Sequence, residues 1–237
     1  MIIIQARMTS TRLPGKVLLP IGDKSSLEVM IDRLGTLRDN VIIATTDDGS
    51  ETPIIDLCKQ LGVKYFQGDT DNVLGRYYLC AKFFGAEADD GIMRLTSDCP
   101  LIDMELTSQV INTFNNNNYD MVSLGPHSGF PRGLDACIFN FKVLENTYKK
   151  ATLLNDKEHV TLGMAKFNHL NCYNISALDD LSHYRLTVDE QDDYQLITEI
   201  YRLFSYQTDF TYNELITLIQ NKPYLYEINK HIEQKNV

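Results

Sequence analysis

Residues 1–16 read MIIIQARMTSTRLPGK, and the way this stretch breaks decides the fold. The apolar run of Ile2, Ile3 and Ile4 is too short to cross a membrane and stops at Gln5. Arg7, Arg12 and Lys16 then fall among Thr9, Ser10, Thr11 and Gly15. A buried strand running straight into a small, basic loop predicts an α/β protein whose loop sits at the end of the first strand. Ligands bind at that end, so three cations and several hydrogen-bond donors point to an anion, a triphosphate foremost. Neither Gly-rich nucleotide fingerprint is present: GxGxxG is missing, and GxxxxGK[ST] fails because a single Gly precedes Lys16.

Downstream, Ser25 and Glu28 have capping-box spacing ahead of Leu27, Met30, Ile31 and Leu34. Residues 41–46 read as a buried strand, and Pro53 opens a helix that Gly62 ends. A short strand at 63–66 precedes a helix carrying Val73, Leu74, Tyr77, Ala81 and Phe84 on one face, an aromatic stripe that reads as core. Residues 92–96 form the next strand, and Leu106, Val110, Ile111 and Phe114 line the next helix. Four strand–helix alternations predict a three-layer, mostly parallel, doubly wound sheet of Rossmann-like kind. Beyond that the pattern changes. Residues 121–124 read as a short strand, and Leu134, Ala136 and Ile138 alternate as a half-buried one, so 120–175 is expected to be a smaller inserted subdomain or lid. Residues 184–188 read as a strand that returns to the main body and ends at Asp189. No linker rich in Gly, Ser or Pro divides the chain, which predicts a single domain over 1–237.

The 22 Lys and Arg against 32 Asp and Glu give a formal net charge of −10. This argues against nucleic acid or an anionic membrane as partner, since either needs a basic face. The basic loop is a local exception. Five cysteines, widely scattered and never spaced CxxC, disfavour a disulfide framework and a zinc site, and point to a reducing, cytoplasmic setting.

Two aspartates follow strand patterns in matching settings: Asp98 in RLTSDCPLID and Asp189 in RLTVDEQDDYQLI. Adjacent parallel strands share one rim, so Asp98 and Asp189 can share a divalent cation beside the basic loop. Magnesium suits such a site, taking few protein oxygens and filling the rest with phosphate and water. Each Asp can equally be a loop residue or a helix N-cap, Asp189 above all.

The decapeptide RMTSTRLPGK resembles the N-terminal signature of the CTP-dependent cytidylyltransferases that activate sugar acids, a group that includes the Kdo and acylneuraminate enzymes. The similarity is greatest to the spore-coat polysaccharide (SpsF-like) branch. It continues through Asp98-Cys99-Pro100-Leu101-Ile102, FPRGLD at 130–135, EHVT at 158–161 and LSHYRLTVD at 181–189. The chain departs from the branch at Asn72 and Gly75, where an acidic residue is usual, and at Tyr184, where Leu is commoner. The resemblance implies a nucleotide-diphosphosugar-transferase-like fold, a homodimer, and transfer of CMP to an acidic sugar. It also implies that Asp98 and Asp189 hold magnesium. The catalytic residues expected are Lys16, Asp98 and Asp189, and the nucleotide contacts Ala6, Arg7, Ser10, Arg12, Lys16 and Thr96. Arg132, Glu158, His159 and Arg185 are expected at the acceptor, since an Arg fork suits a carboxylate. His159 and Arg185 also have structural readings, as a packed imidazole and as the partner of a neighbouring Asp. Two other classes remain open: a nucleotide-sugar glycosyltransferase, which would normally show an Asp-x-Asp pair where Ser97-Asp98-Cys99 offers one carboxylate, and a non-catalytic nucleotide-binding protein.

Overall fold

The computed structural model describes residues 1–125 and 127–233. In chain order its elements are β1 (Ile2–Gln5), β2 (Pro20–Ile21), β3 (Lys24–Ser25), α1 (Ser26–Arg33), β4 (Val41–Thr46), α2 (Thr52–Leu61) and β5 (Lys64–Gly68). There follow α3 (Val73–Phe83), β6 (Gly91–Thr96), α4 (Met104–Asn115), β7 (Met121–Leu124), β8 (Ala136–Asn140) and α5 (Phe141–Lys150). The chain continues through α6 (Leu154–Glu158), α7 (Val160–Phe167), β9 (Cys172–Asn174), α8 (Gln191–Leu203), α9 (Tyr212–Asn221) and α10 (Tyr224–Asn229). The punctuation read from sequence is used as expected. Ser25 accepts from the Glu28 amide at the start of α1, Pro53 lies in the first turn of α2, and Gly62 ends that helix with φ 66°.

Seven strands form one sheet in the order β5-β4-β1-β6-β8-β7-β9. β5, β4, β1 and β6 run parallel, β8 is antiparallel to both β6 and β7, and β9 is parallel to β7. Strand alternation sends Ile2, Ile4, Val41, Ile43, Met93 and Leu95 to one apolar layer beneath α1, α2 and α4. Ile3, Ile42, Ala44 and Ile92 face the other layer, with Tyr77 of α3, Leu144 of α5 and Met164 of α7. A third cluster joins Ile21, Val29, Leu186 and Val188 to α8, α9 and α10. The mostly parallel sheet with helices on both faces is thus the expected architecture. The chain winds from β1 outwards to β5 and then crosses to β6 on the other flank, so the strand order reverses between β1 and β6.

Two expectations need correction. Residues 120–175 put β7, β8 and β9 into the main sheet rather than apart from it. Ala136 to Phe139 are all buried instead of alternating, because β8 is covered on both faces. Residues 184–188 do not form a strand. Their one ladder contact is an isolated bridge between Arg132 and Arg185. Leu186 and Val188 are buried by helices, with the backbone tied to loops: the Leu186 amide donates to the Arg132 carbonyl at 2.7 Å and the Val188 amide to the Asp98 carbonyl at 2.8 Å. Apolar spacing is the same for both modes of burial, so the sequence reads as a strand.

Candidate active site

The basic loop leaves β1 at Ala6, whose amide donates to the Ala44 carbonyl at 3.1 Å. It closes through Gly15, at φ 69°, whose amide reaches the Met8 carbonyl at 2.9 Å. That turn aims Lys16 across the rim at the point of strand reversal. Its Nζ donates to Asp98 Oδ2 at 3.2 Å, Asp189 Oδ1 at 2.8 Å and the Val188 carbonyl at 2.8 Å. Asp189 Oδ2 meets Arg12 at 3.2 Å and Arg185 at 3.1 Å, and Arg12 also pairs with Glu190 at 3.2 Å. The carboxylates expected to meet therefore do meet, with a lysine ammonium between them.

Burial opposes ionisation of Asp189, but the cations around it outweigh burial and hold its carboxyl at about 2. Burial likewise pushes Asp98 up, Lys16 pulls it down, and the net shift is downward. Desolvation disfavours the Lys16 ammonium, the two carboxylates favour it, and its pKa is raised. All three groups are charged at neutral pH.

Asp189 is not the N-cap of α8. Glu190 is, in a capping box with Asp193. Asp193 is fully buried and receives the Arg185 fork at 2.8 and 2.9 Å, the Asp189 and Glu190 amides, and Asn229 of α10 at 2.8 Å. Arg185 is therefore committed to the protein and holds Asp189 in place, which departs from its expected acceptor role. Arg132 is also absent from the cleft wall. It serves through its backbone, bridging residues 184–186, next to Gly133 at φ 101°.

The cleft over this cluster encloses about 250 Å³. Every expected nucleotide contact, Ala6, Arg7, Ser10, Arg12, Lys16 and Thr96, lines it, as do Glu158 and His159 from the junction of α6 and α7. Sequence reading missed Gln5, Arg76 and Arg94, which line it too. Each carries a buried atom without a hydrogen-bond partner: Gln5 Oε1, Arg76 Nε and Arg94 Nε. One signal was available, since Arg94 interrupts the apolar strand Ile92-Met93-Arg94-Leu95, where a charge is costly. Asn72 caps α3 by accepting from the Gly75 amide at 2.9 Å, and a Cβ at Gly75 would lie 2.5 Å from the Asn72 side chain, so the two departures from the branch pattern fit each other.

Magnesium needs only one or two carboxylate oxygens from protein, and Asp98 and Asp189 offer them, but Lys16 Nζ lies between the pair and Arg12 and Arg185 take Asp189 Oδ2, so a cation would share these carboxylates only once Lys16 turned to a phosphate. Among the described residues no group of three or more His, Cys, Asp or Glu could cage a metal by itself.

A family model for cytidylyltransferases matches residues 1–232. The spore coat polysaccharide biosynthesis protein SpsF of Bacillus subtilis is 33% identical over 233 residues, 93% of this chain and 94% of that protein. The 3-deoxy-manno-octulosonate cytidylyltransferase of Acinetobacter baumannii is 34% identical over 113 residues, 46% of this chain and 43% of that protein. The structure of a cytidylyltransferase from Leptospira borgpetersenii superposes with a TM-score of 0.90 at 31% identity, covering 99% of this chain and 98% of that one. The fold, the site at the strand reversal and this full-length match agree: the chain belongs to the cytidylyltransferase family and is a nucleotidyltransferase.

Proposed function

We propose that the protein transfers CMP from CTP to the anomeric hydroxyl of an acidic sugar, a nonulosonic acid such as pseudaminic or legionaminic acid or a Kdo-like acid, for surface polysaccharide or glycan synthesis. The observation that carries this is Lys16 held between Asp98 and Asp189 at the strand reversal, beside Arg7 and Arg12. The named activity of the Acinetobacter relative on an eight-carbon sugar acid supports the acceptor class.

In the reaction the acceptor oxygen bonds to the α-phosphorus, the bond to the bridging oxygen of the β-phosphate breaks, and the hydroxyl proton leaves to water. Little covalent work falls to the protein, so positioning and charge neutralisation dominate. Lys16 and Arg7 grip the triphosphate and departing pyrophosphate, while Arg12 secures the loop to Asp189 and Glu190. Magnesium held by Asp98 and Asp189 would add positive charge against the α-phosphate oxygens. Ala6, Ser10 and Thr96 wall the nucleotide, and Glu158 and His159 face the acceptor.

A cytoplasmic homodimer is part of the proposal. No helix among the described residues is long and apolar enough to cross a membrane. Exposed Leu79 and Phe83 of α3, with Leu154 of α6 and Leu162 of α7, supply apolar surface for a second copy.

The test is a pyrophosphate-release screen crossing the four nucleoside triphosphates with a panel of sugar acids and neutral sugars, with and without magnesium. Release with CTP and a sugar acid, dependent on magnesium, is expected. Release only with a neutral sugar, or CTP binding in calorimetry with no release for any acceptor, would overturn it.

A further inference from the structure

Once Arg185 is spent on Asp193 and Arg132 lies outside the cleft, no residue remains among those first expected to fork onto the acceptor's carboxylate. We infer that Arg94 is that residue. The inference rests on the acidic-sugar reading above.

Arg94 lies on β6, paired in register with Ile3 on one side and Cys137 on the other. Its side chain shares the face of Gln5 and Thr96 and lines the cleft with Asp98. Among the described residues it makes no hydrogen bond or ion pair, and its Nε is buried. The residue as a whole is half-buried, and Asp135 feels its charge without forming an ion pair, so the open end of the guanidinium is left for an anion in the cleft. A planar, five-donor fork matches a carboxylate.

Position separates Arg94 from Arg76, which carries the other buried, unpartnered guanidine nitrogen among the residues lining the cleft. Arg76 projects from α3, with Nη1 donating to the Asp69 carbonyl at 3.1 Å, on the β4–β5 flank of the sheet. Arg94 lies on the other flank, where β6 meets β8. Two cation positions on opposite flanks of Lys16, Asp98 and Asp189 suit two ligands that meet in the middle: the nucleotide over β1 and β4, and the acid over β6 and β8.

The test uses the sugar acid turned over fastest in the screen, together with its carboxamide, which keeps size and hydroxyls and removes the charge. Wild type, Arg94→Lys and Arg94→Gln are compared by pyrophosphate release, and CTP binding is followed by calorimetry. Arg94→Gln is expected to raise the acceptor KM by about 10- to 100-fold, the range for loss of a charge-assisted contact, with the CTP Kd within about twofold of wild type. Arg94→Lys should fall between them. Wild type should disfavour the amide by a comparable factor, and Arg94→Gln should lose most of that preference. The acid–amide comparison in wild type needs no variant to fold. Equal KM for acid and amide in wild type, an unchanged acceptor KM in Arg94→Gln, or CTP affinity that weakens in step with the acceptor KM would each overturn the assignment. If wild type turns over a sugar acid and Arg94→Gln does so with the same KM, the assignment alone fails. If wild type uses only neutral sugars, the acidic-sugar reading fails and takes the assignment with it.

Discussion

Arg-Leu-Thr-x-Asp occurs twice, at 94–98 and 185–189, and the two copies reach the same lysine by different structures. In the first, Arg94, Leu95 and Thr96 are strand, laddered to β1, and Arg94 to β8 as well. In the second, Arg185 makes a single bridge, and the segment hangs between the loop at 130–135, the Asp98 carbonyl and α10. The leucines are both 1% exposed, in different apolar clusters. The arginines diverge most: Arg185 is forked onto Asp193, while Arg94 faces the cleft unpaired. A sheet positions Asp98; an ion-pair network positions Asp189. A shared motif thus predicts where its aspartate ends, but not how the aspartate is held.

The largest effects should fall where the two copies converge. Asp98→Asn, Asp189→Asn and Lys16→Ala are each expected to lower pyrophosphate release by about 10²-fold or more, by analogy with removal of one transition-state contact. If the copies act as one unit, Asp98→Asn with Asp189→Asn together should cost little more than either alone. Fully additive losses in steady-state rates would mean that the two aspartates serve separate steps.

The support of the second copy can be broken at Gly133. A Cβ there would sit 2.4 Å from the Leu186 carbonyl carbon and oxygen, at a φ of 101° that side chains rarely adopt. Gly133→Ala is expected to destabilise by about 3–4 kcal/mol, combining strain with overpacking, seen as a lowered urea midpoint. Wild-type stability would show that the loop can move away from residues 186–187 without cost. Arg185→Ala should cost about 3 kcal/mol, because Asp193 is left buried without its cation. Arg94→Gln should change stability by less than about 0.5 kcal/mol, since no protein partner is lost. Equal losses at the two arginines would erase the distinction drawn between the copies.

What the sequence made legible follows from the same contrast. Strands β1, β4 and β6 were readable because they are short, mostly buried apolar runs, and β5 because Gly62 and Gly68 bound it, whereas the two-residue, partly exposed β2 and β3 carry too little pattern to be read. The basic loop and both aspartates were readable because they fall at strand or segment ends. Three things were not. Residues 184–188 have the apolar spacing of a strand, but their burial comes from helices. The placement of β7, β8 and β9 within the main sheet is a long-range pairing with no local signature. The exchange of roles between Arg94 and Arg185 depends on Asp193 lying one helical turn beyond Asp189, and on Asn229 arriving from the far end of the chain to share it.

A pH-dependent effect concerns the charge of the convergence point. Asp189 is held at about 2 and Asp98 is also lowered. A depressed carboxyl contributes stability that is fully present above its unfolded value, near 3.8, and is lost as pH falls through its folded value. Wild type should therefore lose this contribution between about pH 4 and 2. In Lys16→Met the ammonium is gone, so burial and mutual repulsion act on both carboxyls unopposed and their pKa values rise. The variant should be less stable by about 1–2 kcal/mol at pH 7. As pH falls, its carboxyls protonate first and relieve their own repulsion, so the gap should close towards pH 3. Urea unfolding of both proteins at pH 7, 5 and 3 would measure this. A gap that stays constant with pH would assign Lys16's contribution to the packing of its aliphatic stem, leaving the two copies of the motif to be joined through the Asp98 carbonyl, which accepts from the Val188 amide and the Thr187 hydroxyl.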